Sequence, residues 1–187
     1  MNRGLITILI VVILASGCST TGIQKQNQVQ ESEATVTDVV DGDTVDIRLG
    51  ETTETVRLIG VDTPEVHVEV APEEYENMPE NDRGRTCLRE WGEKASEYAE
   101  KTLAGKKVHF TTDPYSDTRG TYGRLLGYIK INQTNFNYRL IEKGLARVYD
   151  SKFRDKQRFI QAEEKAQERM KGLWQCQTFE IENLTSE

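Results

Sequence analysis

Two short stretches of the sequence concentrate groups that could bind a cation and a phosphate. The first is Asp41-Gly42-Asp43-Thr44-Val45, and the second runs from Arg57 to Glu65 with the sequence RLIGVDTPE. A folding core needs none of these carboxylates, which repel one another unless a cation or hydrogen-bond donors hold them. Clustered oxygen ligands favour a hard ion such as calcium, and the planar guanidinium of Arg57 can donate two hydrogen bonds to a phosphate. The pattern therefore predicts a site for a metal ion and a phosphate group.

The charge of the chain is divided unevenly along its length. The formal net charge of the 187 residues is -7 at pH 7, which by itself disfavours a polyanionic partner. Residues 19–82 carry 3 Lys or Arg against 16 Asp or Glu, whereas residues 83–170 carry 19 against 12. Because the second half can present a basic surface, the composition does not exclude a nucleic acid as a ligand.

The first 18 residues have the composition of a targeting segment. Arg3 supplies a positive flank, residues 5–15 are mainly apolar, and Ala15-Ser16-Gly17-Cys18 is a cleavage site of small residues. We predict a signal peptide over 1–18 that ends in a lipidated Cys18, followed by a flexible polar tether over 19–34. Ordinary secretion with Cys18 unmodified is the alternative, because Ala15 replaces the usual branched residue of a lipidation signal. We therefore expect an extracytoplasmic protein, either a membrane-anchored lipoprotein or a secreted one.

The two remaining cysteines, Cys87 and Cys176, are a natural disulfide pair for an exported chain. The bond would join the start of a predicted helix to the C-terminal end of the chain. Zinc is a poor alternative, because these cysteines and the dispersed His67 and His109 show no ligand spacing.

The hydrophobic pattern predicts five strands and three helices. The predicted strands are Thr35–Val40, Thr44–Leu49, Thr53–Ile59, Lys107–Thr112 and Tyr122–Ile131. The predicted helices are Cys87–Leu103, Asn135–Lys143 and Asp155–Lys171, with an extended segment at Leu145–Tyr149. Three strands in succession, then a helix before the fourth, indicate a small closed barrel with helices packed against it.

Residues 66–86 are predicted to form a long polar loop without a clear period. Six acidic residues lie there with no intervening Lys or Arg. We interpret the segment as a solvated surface insertion, with a second cation site or a charged lid as the alternatives. His67 is interpreted as an exposed loop residue.

Three motifs, in order along the chain, resemble the staphylococcal nuclease family. They are VDGDTV at 40–45, RLIGVDTPE at 57–65 and YGRLLGY at 122–128. The resemblance covers about residues 35–174 and implies an α+β fold, a five-stranded OB-fold β-barrel with three packed α-helices. We place this nuclease domain at 35–176 and a C-terminal tail at 177–187. The resemblance also implies calcium-dependent endonuclease activity on DNA and RNA, and we expect a monomer.

The resemblance implies a role for each residue near the metal. Asp43 and Asp62 would supply carboxylate ligands to one calcium ion, and Thr63 would supply a backbone carbonyl. Asp41 would lie next to the metal without being a direct ligand.

The resemblance likewise implies which residues act on the substrate. Glu65 would orient or deprotonate the attacking water, while Arg57 and Arg124 would hold the scissile phosphate. Tyr122 would lie near a nucleotide phosphate, and Tyr149 would contact a base. Developing charge on the phosphate is stabilised by such positive groups more strongly than the ground state is.

The sequence departs from the family pattern in its loops. Residues 66–86 are longer and more acidic, Gly120 stands where an acidic residue is expected, and Thr121 stands where a basic one is expected. These departures bear on loop contacts with the substrate and leave the metal and phosphate groups in place. Two other functions fit the same residues: a catalytically inactive nucleic-acid-binding module, or a calcium-binding surface protein built on the acidic loop.

Overall fold

A computed structural model describes residues 28–180. The strands are β1 Glu31–Val39, β2 Thr44–Leu49, β3 Thr52–Leu58, β4 Val61–Asp62, β5 Lys107–Thr111, β6 Leu125–Ile131, β7 Thr134–Asn135 and β8 Arg147–Val148. The helices are α1 Asp82–Leu103, α2 Phe136–Glu142 and α3 Lys156–Glu168, with 3-10 segments at Pro72–Glu74 and Gly172–Glu180. Within this range no helix is long and apolar enough to cross a membrane. The predicted signal peptide and Cys18 lie outside the described residues.

The main sheet closes into a barrel through its two end strands. Its antiparallel order is β3-β2-β1-β5-β6, and β3 also pairs with β6 in parallel. The closing register places Val56 opposite Leu125 and Arg57 opposite Leu126. Closure leaves none of these five strands as a long free edge. The predicted α+β fold, a five-stranded barrel with three helices, is thereby confirmed.

Strand β1 is longer than the sequence predicted and serves two neighbours. Its first half, from Glu31, pairs with β5, and its second half, from Thr35, pairs with β2. A register shift between Val36 and Asp38 lets the strand bend between the two. The predicted tether, which extended to residue 34, was therefore wrong in its last four residues. The first three of them are polar and exposed, carry no apolar signal, and are ordered by backbone pairing with β5. The fourth, Ala34, is buried in the barrel core.

The barrel core is made of β-branched and aromatic residues from alternate strand positions. Its fully buried members on the strands are Val36, Val45, Ile47, Val56, Leu58 and Ile129. The helices cover the barrel with Ala95, Ala99 and Leu103 from α1, Phe136, Leu140 and Ile141 from α2, and Phe159 from α3. Burial of these apolar surfaces supplies most of the drive for folding.

Asn137 in α2 is a fully buried polar residue that ties the barrel together. Its side-chain amide donates to the carbonyls of Ile59, at 3.0 Å, and Gly127, at 3.1 Å. Its side-chain oxygen accepts from the N–H of Ile129, at 3.1 Å. Because Ile59 lies in the second acidic stretch, these bonds fix that stretch against β6.

Several predicted element boundaries were wrong. Helix α1 begins at Asp82, five residues before the predicted start at Cys87. The side chain of Asn81 caps it by accepting a hydrogen bond from the N–H of Gly84. Strand β6 begins only at Leu125, because the preceding residues form a turn in which the N–H of Gly123 donates to Gly120. Helix α3 ends at Glu168, and a 3-10 segment from Gly172 extends past the predicted domain end at 176.

The interpretation of residues 66–86 as a solvated insertion was wrong for part of that segment. Val70, Tyr75 and Met78 are buried, with no more than 6% of each residue exposed. They form a second, smaller core with residues of α1, α3 and the C-terminal 3-10 segment, namely Leu88, Ala166, Leu173, Trp174 and Cys176. The segment is thus a packed part of the domain, and His67 remains exposed as predicted.

A disulfide joins Cys87 in α1 to Cys176, the pair that the sequence predicted. The two residues are 89 positions apart, so the bond closes a loop that contains most of the domain. It also clamps the second core, because Cys176 is fully buried within it.

Replacement of both cysteines, Cys87→Ala with Cys176→Ala, is expected to lower the free energy of unfolding by about 2–5 kcal/mol, since a long closed loop restricts the unfolded chain. Equilibrium urea unfolding of the fragment from Ser19 measures the change. The wild-type fragment under reducing conditions is the control and should unfold like the variant. Equal midpoints for the oxidised wild type and the variant would contradict a stabilising bond.

Candidate functional site

The turn between β1 and β2 carries the first two acidic residues. The N–H of Asp43 donates to the Asp41 carboxylate at 3.0 Å, which fixes the shape of the turn. A Cβ at Gly42 would lie 2.8 Å from both Ala95 of α1 and Thr63, so only glycine lets the turn approach the helix this closely. Asp41 therefore supports the backbone of Asp43, and its predicted place beside a metal ion stays a prediction.

Asp43 is buried, with only 4% of the residue exposed. One carboxylate oxygen accepts from the Thr63 N–H at 2.8 Å and from the Thr63 hydroxyl at 3.1 Å. The other accepts from the hydroxyl of Thr44 at 3.2 Å. Thr63 was predicted to bind the metal through its backbone carbonyl. In the structure, its N–H and its hydroxyl also hold Asp43 in place.

Arg57 lies between the two acidic stretches and contacts both. Its Nη1 is 2.5 Å from Asp43 Oδ1, and its Nη2 is 2.5 Å from Asp62 Oδ1. Nη1 also donates to the carbonyl of Val61 at 3.0 Å. Asp43 and Asp62 therefore point at one positively charged position, although they are 19 residues apart in the sequence.

The site has a strongly acidic electrostatic character around Asp43. Burial raises the pKa of Asp43 to about 6, and the attraction of Arg57 offsets this only in part. Partial burial, together with the charges of Asp43 and Asp62, raises the pKa of Glu65. Glu65 itself lies exposed, two residues beyond Thr63. A carboxylate with a raised pKa is a better proton acceptor near neutral pH.

Arg124 approaches the same region from the turn before β6. Its Nη1 lies 3.4 Å from the hydroxyl of Thr44, the residue that also contacts Asp43. Its guanidinium carbon is 5.7 Å from the centre of the Tyr122 ring, within reach of a cation–π contact. Because β3 and β6 pair in parallel, Arg57 and Arg124 both open onto one cleft.

That cleft has a volume of about 700 Å³, and its charged walls are mainly basic. Tyr122, with 84% of the residue exposed, and Tyr149, with 49%, stand at its rim. The charged residues that line it are Arg57, Arg119, Arg124, Lys152 and Asp117. A second hollow of about 500 Å³ adjoins it on the other side of the two tyrosines and is lined by Asp62, Glu65, Glu69, Glu74 and Arg147.

The carboxylates of Asp43 and Asp62 have the chemistry to bind a hard cation. Among residues 28–180, no three His, Cys, Asp or Glu side chains already converge as a preformed metal site. Arg57 takes the position between Asp43 and Asp62 that such a site would use. Two carboxylates that share one positive partner are the oxygen donors that calcium prefers, so a cation could bind if Arg57 moved aside.

Three charged residues near the site were missed by the sequence reasoning. Arg119 forms a two-pronged ion pair with Glu54, at 2.8 and 2.9 Å, and holds the turn before Arg124 through the Gly123 carbonyl. Lys152 lines the cleft, and Arg147 contacts Asp62 at 2.7 Å. The only signal for Arg147 was its place in the extended segment predicted at Leu145–Tyr149, whereas nothing local marked Lys152.

Replacement of Asp43 by Asn is expected to stabilise the protein when calcium is chelated. The pKa of folded Asp43 is about 6, against an ordinary value of 3.8, so ionisation costs the folded state free energy that grows as pH rises between these values. This difference in pKa corresponds to a change of at most about 3 kcal/mol in the free energy of unfolding. Urea unfolding at pH 7.5 should show the variant as the more stable chain, and at pH 4 the difference should nearly vanish.

The control for this comparison is Asp38→Asn, which changes an exposed carboxylate of β1. A less stable Asp43→Asn variant at pH 7.5 would contradict the prediction, because the ion pair with Arg57 would then outweigh the cost of burial.

Comparison with known proteins identifies the family of this chain. Residues 55–176 match the model of the family described as staphylococcal nuclease homologue. A thermonuclease of Staphylococcus intermedius is 34% identical over 139 residues, which is 73% of each chain. An uncharacterized protein of Methanocaldococcus jannaschii is 42% identical over 146 residues, 74% of this chain and 70% of its own. A prophage-derived endonuclease of Bacillus subtilis is 27% identical over 145 residues, 76% of this chain and 44% of its own. With its barrel, its acidic pair and its family match in agreement, the chain belongs to the staphylococcal nuclease homologue family.

Proposed function

We propose that this protein is a calcium-dependent nuclease that hydrolyses phosphodiester bonds of DNA and RNA. The observation that carries the proposal is the contact of Arg57 with both Asp43 and Asp62, beside a basic cleft that Arg124 also lines. Membership of the family suggests nuclease activity, and its relatives include proteins named thermonuclease and endonuclease.

The two arginines are the proposed phosphate ligands. Arg57 enters the cleft from β3 and Arg124 from the turn before β6, the strand that pairs with β3, so one phosphate between them could accept hydrogen bonds from both. When water attacks phosphorus, negative charge grows on the phosphate oxygens, and fixed guanidinium groups stabilise that charge. Arg119 helps by holding the turn that carries Arg124.

The proposed calcium ligands are the carboxylates of Asp43 and Asp62 and the carbonyl of Thr63. A bound calcium ion would add positive charge next to the phosphate and would polarise the attacking water. Asp41 and the donors of Thr63 hold Asp43 in the orientation that this arrangement needs. A phosphate that draws Arg57 toward itself would release Oδ1 of Asp43 and Oδ1 of Asp62 from their ion pairs with Arg57.

Glu65 is the proposed base. It is exposed at the edge of the acidic pair, and its raised pKa suits a group that takes a proton from water. The water oxygen forms the new bond to phosphorus, and the leaving oxygen departs on the opposite side.

The outer cleft offers contacts for the nucleoside parts of the substrate. Tyr122 and Tyr149 present exposed rings on which bases could stack, and such stacking tolerates any base. Lys152 and Arg119 add positive charge on the same side, where Gly120 and Thr121 replace charged residues of the family pattern. Since one chain supplies all of these groups, we propose that the protein acts as a monomer.

Cleavage of single-stranded DNA by the fragment from Ser19 tests the proposal. Activity should require calcium, stop with chelator, and fall about 10²–10³-fold in either Glu65→Gln or Arg124→Ala, because each removes one group that acts in the transition state. The control Arg139→Lys, at an exposed ion pair of α2, should leave the rate unchanged.

A folded, disulfide-bonded fragment that binds DNA without cutting it would favour the inactive binding module instead. Calcium binding that survives loss of both Asp43 and Asp62, with no cleavage, would favour a calcium-binding surface protein. Cleavage that persists in chelator would contradict the proposed role of calcium.

We also propose that the protein acts outside the cytoplasm, anchored by a lipid on Cys18. The proposal rests on the apolar leader and the small residues before Cys18. In cell fractionation, the wild type should sediment with membranes. Protease added to cells without their outer layers, but with the cytoplasmic membrane intact, should digest it. Cys18→Ser should shift the protein out of the membrane fraction. A protease-protected wild type in the cytoplasm would overturn the proposal.

A further inference from the structure

Arg147 is a charged residue near the site for which no role was predicted from the sequence. It lies in β8, which pairs antiparallel with β4, and the register places it directly opposite Asp62. Its Nη2 is 2.7 Å from Asp62 Oδ2 and also 2.7 Å from Glu74 Oε2. Arg147 therefore links a proposed calcium ligand to the acidic segment 66–86.

The position of Arg147 is fixed by its surroundings. Only 19% of its side chain is exposed, and its guanidinium lies 5.1 Å from the centre of the buried Tyr75 ring. The next residue, Val148, donates its N–H to the Glu163 carboxylate of α3 at 2.7 Å. The Nε of Arg147 is buried with no hydrogen-bond partner among the described residues, so the two carboxylates and the Tyr75 ring orient the guanidinium.

Glu74 is held on a packed support. It ends the 3-10 segment Pro72–Glu74, and the next residue, Tyr75, belongs to the second core. The carbonyl of Glu76 accepts from the side-chain amide of Gln177 at 2.8 Å, which ties this segment to the C-terminal 3-10 segment. Glu74 therefore helps to fix Arg147, which in turn contacts Asp62.

The two oxygens of Asp62 have different partners. Oδ1 contacts Arg57, whose proposed task is to bind phosphate, and Oδ2 contacts Arg147, which is held on the other side by Glu74. If Arg57 turns to a phosphate, Arg147 remains to hold the carboxylate. Groups behind a metal ligand commonly set its orientation in this way.

We propose that Arg147 is a positioning residue that orients Asp62 for calcium, and that the acidic segment 66–86 acts on the site through Glu74. The inference rests on the proposed function, because it assigns a partner to a calcium ligand. The planar shape of the guanidinium matters as much as its charge, since it lies 5.1 Å from the centre of the Tyr75 ring while its Nη2 contacts both carboxylates. A lysine at this position would keep the charge and lose that geometry.

The test compares Arg147→Lys, Glu74→Gln and the double variant in calorimetric titrations with calcium alone. Arg147→Lys should weaken calcium binding about 10–100-fold, the usual effect of losing the partner of a metal ligand. Glu74→Gln should weaken it less, and the double variant should resemble Arg147→Lys, because both residues act through the same contact. Arg139→Lys at the exposed pair with Glu142 is the matched control.

Cleavage assays provide the second readout. For Arg147→Lys, activity lost at low calcium should return in part at high calcium, while the KM for the oligonucleotide stays unchanged. Thermal unfolding in chelator should show a change in melting temperature no larger than that of the control, which separates positioning from general stability.

The outcomes distinguish this inference from the proposed function. Calcium affinity of Arg147→Lys equal to that of the wild type would overturn the positioning role alone and show that only the charge matters. Additive effects of the two substitutions would overturn the role of Glu74. If the wild type neither binds calcium nor cleaves DNA, the proposed function and this inference both fall.

Discussion

The buried negative charge of Asp43 is the constraint on which the rest of the site depends. A carboxylate removed from water must be paired or must accept hydrogen bonds, and here donors from Thr63, Thr44 and Arg57 surround it. Those donors come from two separate stretches of chain. Their meeting requires Gly42 to bring the first turn against α1, so the geometry of the site and the packing of the core are determined together. Burial also leaves Asp43 with too little positive charge around it, which a cation can supply.

The closure of the barrel brings the second arginine to the site. Parallel pairing of β3 with β6 brings Arg57 beside the turn that carries Arg124, although 66 residues of chain separate the two strands. The short pair β4 and β8 then adds Arg147 behind Asp62. Buried Asn137 fixes the backbone between these two pairings. The disulfide-clamped second core supports the outer side, so the acidic segment 66–86 forms a wall of the site instead of an independent insertion.

Much of this arrangement was predictable, because local signals were strong. The prediction for β2 matches the strand at both ends, since β-branched residues alternate between two turns, and the motif order indicated that Asp43, Asp62 and Arg57 would meet. What the sequence did not reveal depends on long-range contacts. The start of β1 is ordered by β5, and the packing of 66–86 depends on partners almost a hundred residues away. The role of Arg147 depends on the register of two-residue strands that have no pattern of their own.

We propose that calcium and phosphate meet at one point, which Arg57 occupies when neither is bound. Titration of calcium into Glu65→Gln, with and without a short single-stranded oligonucleotide, tests this proposal, because the variant should bind the substrate without cutting it. We predict that the oligonucleotide tightens calcium binding by about 10-fold or more, and that calcium tightens oligonucleotide binding by the same factor. Independent binding of the two ligands would contradict the claim.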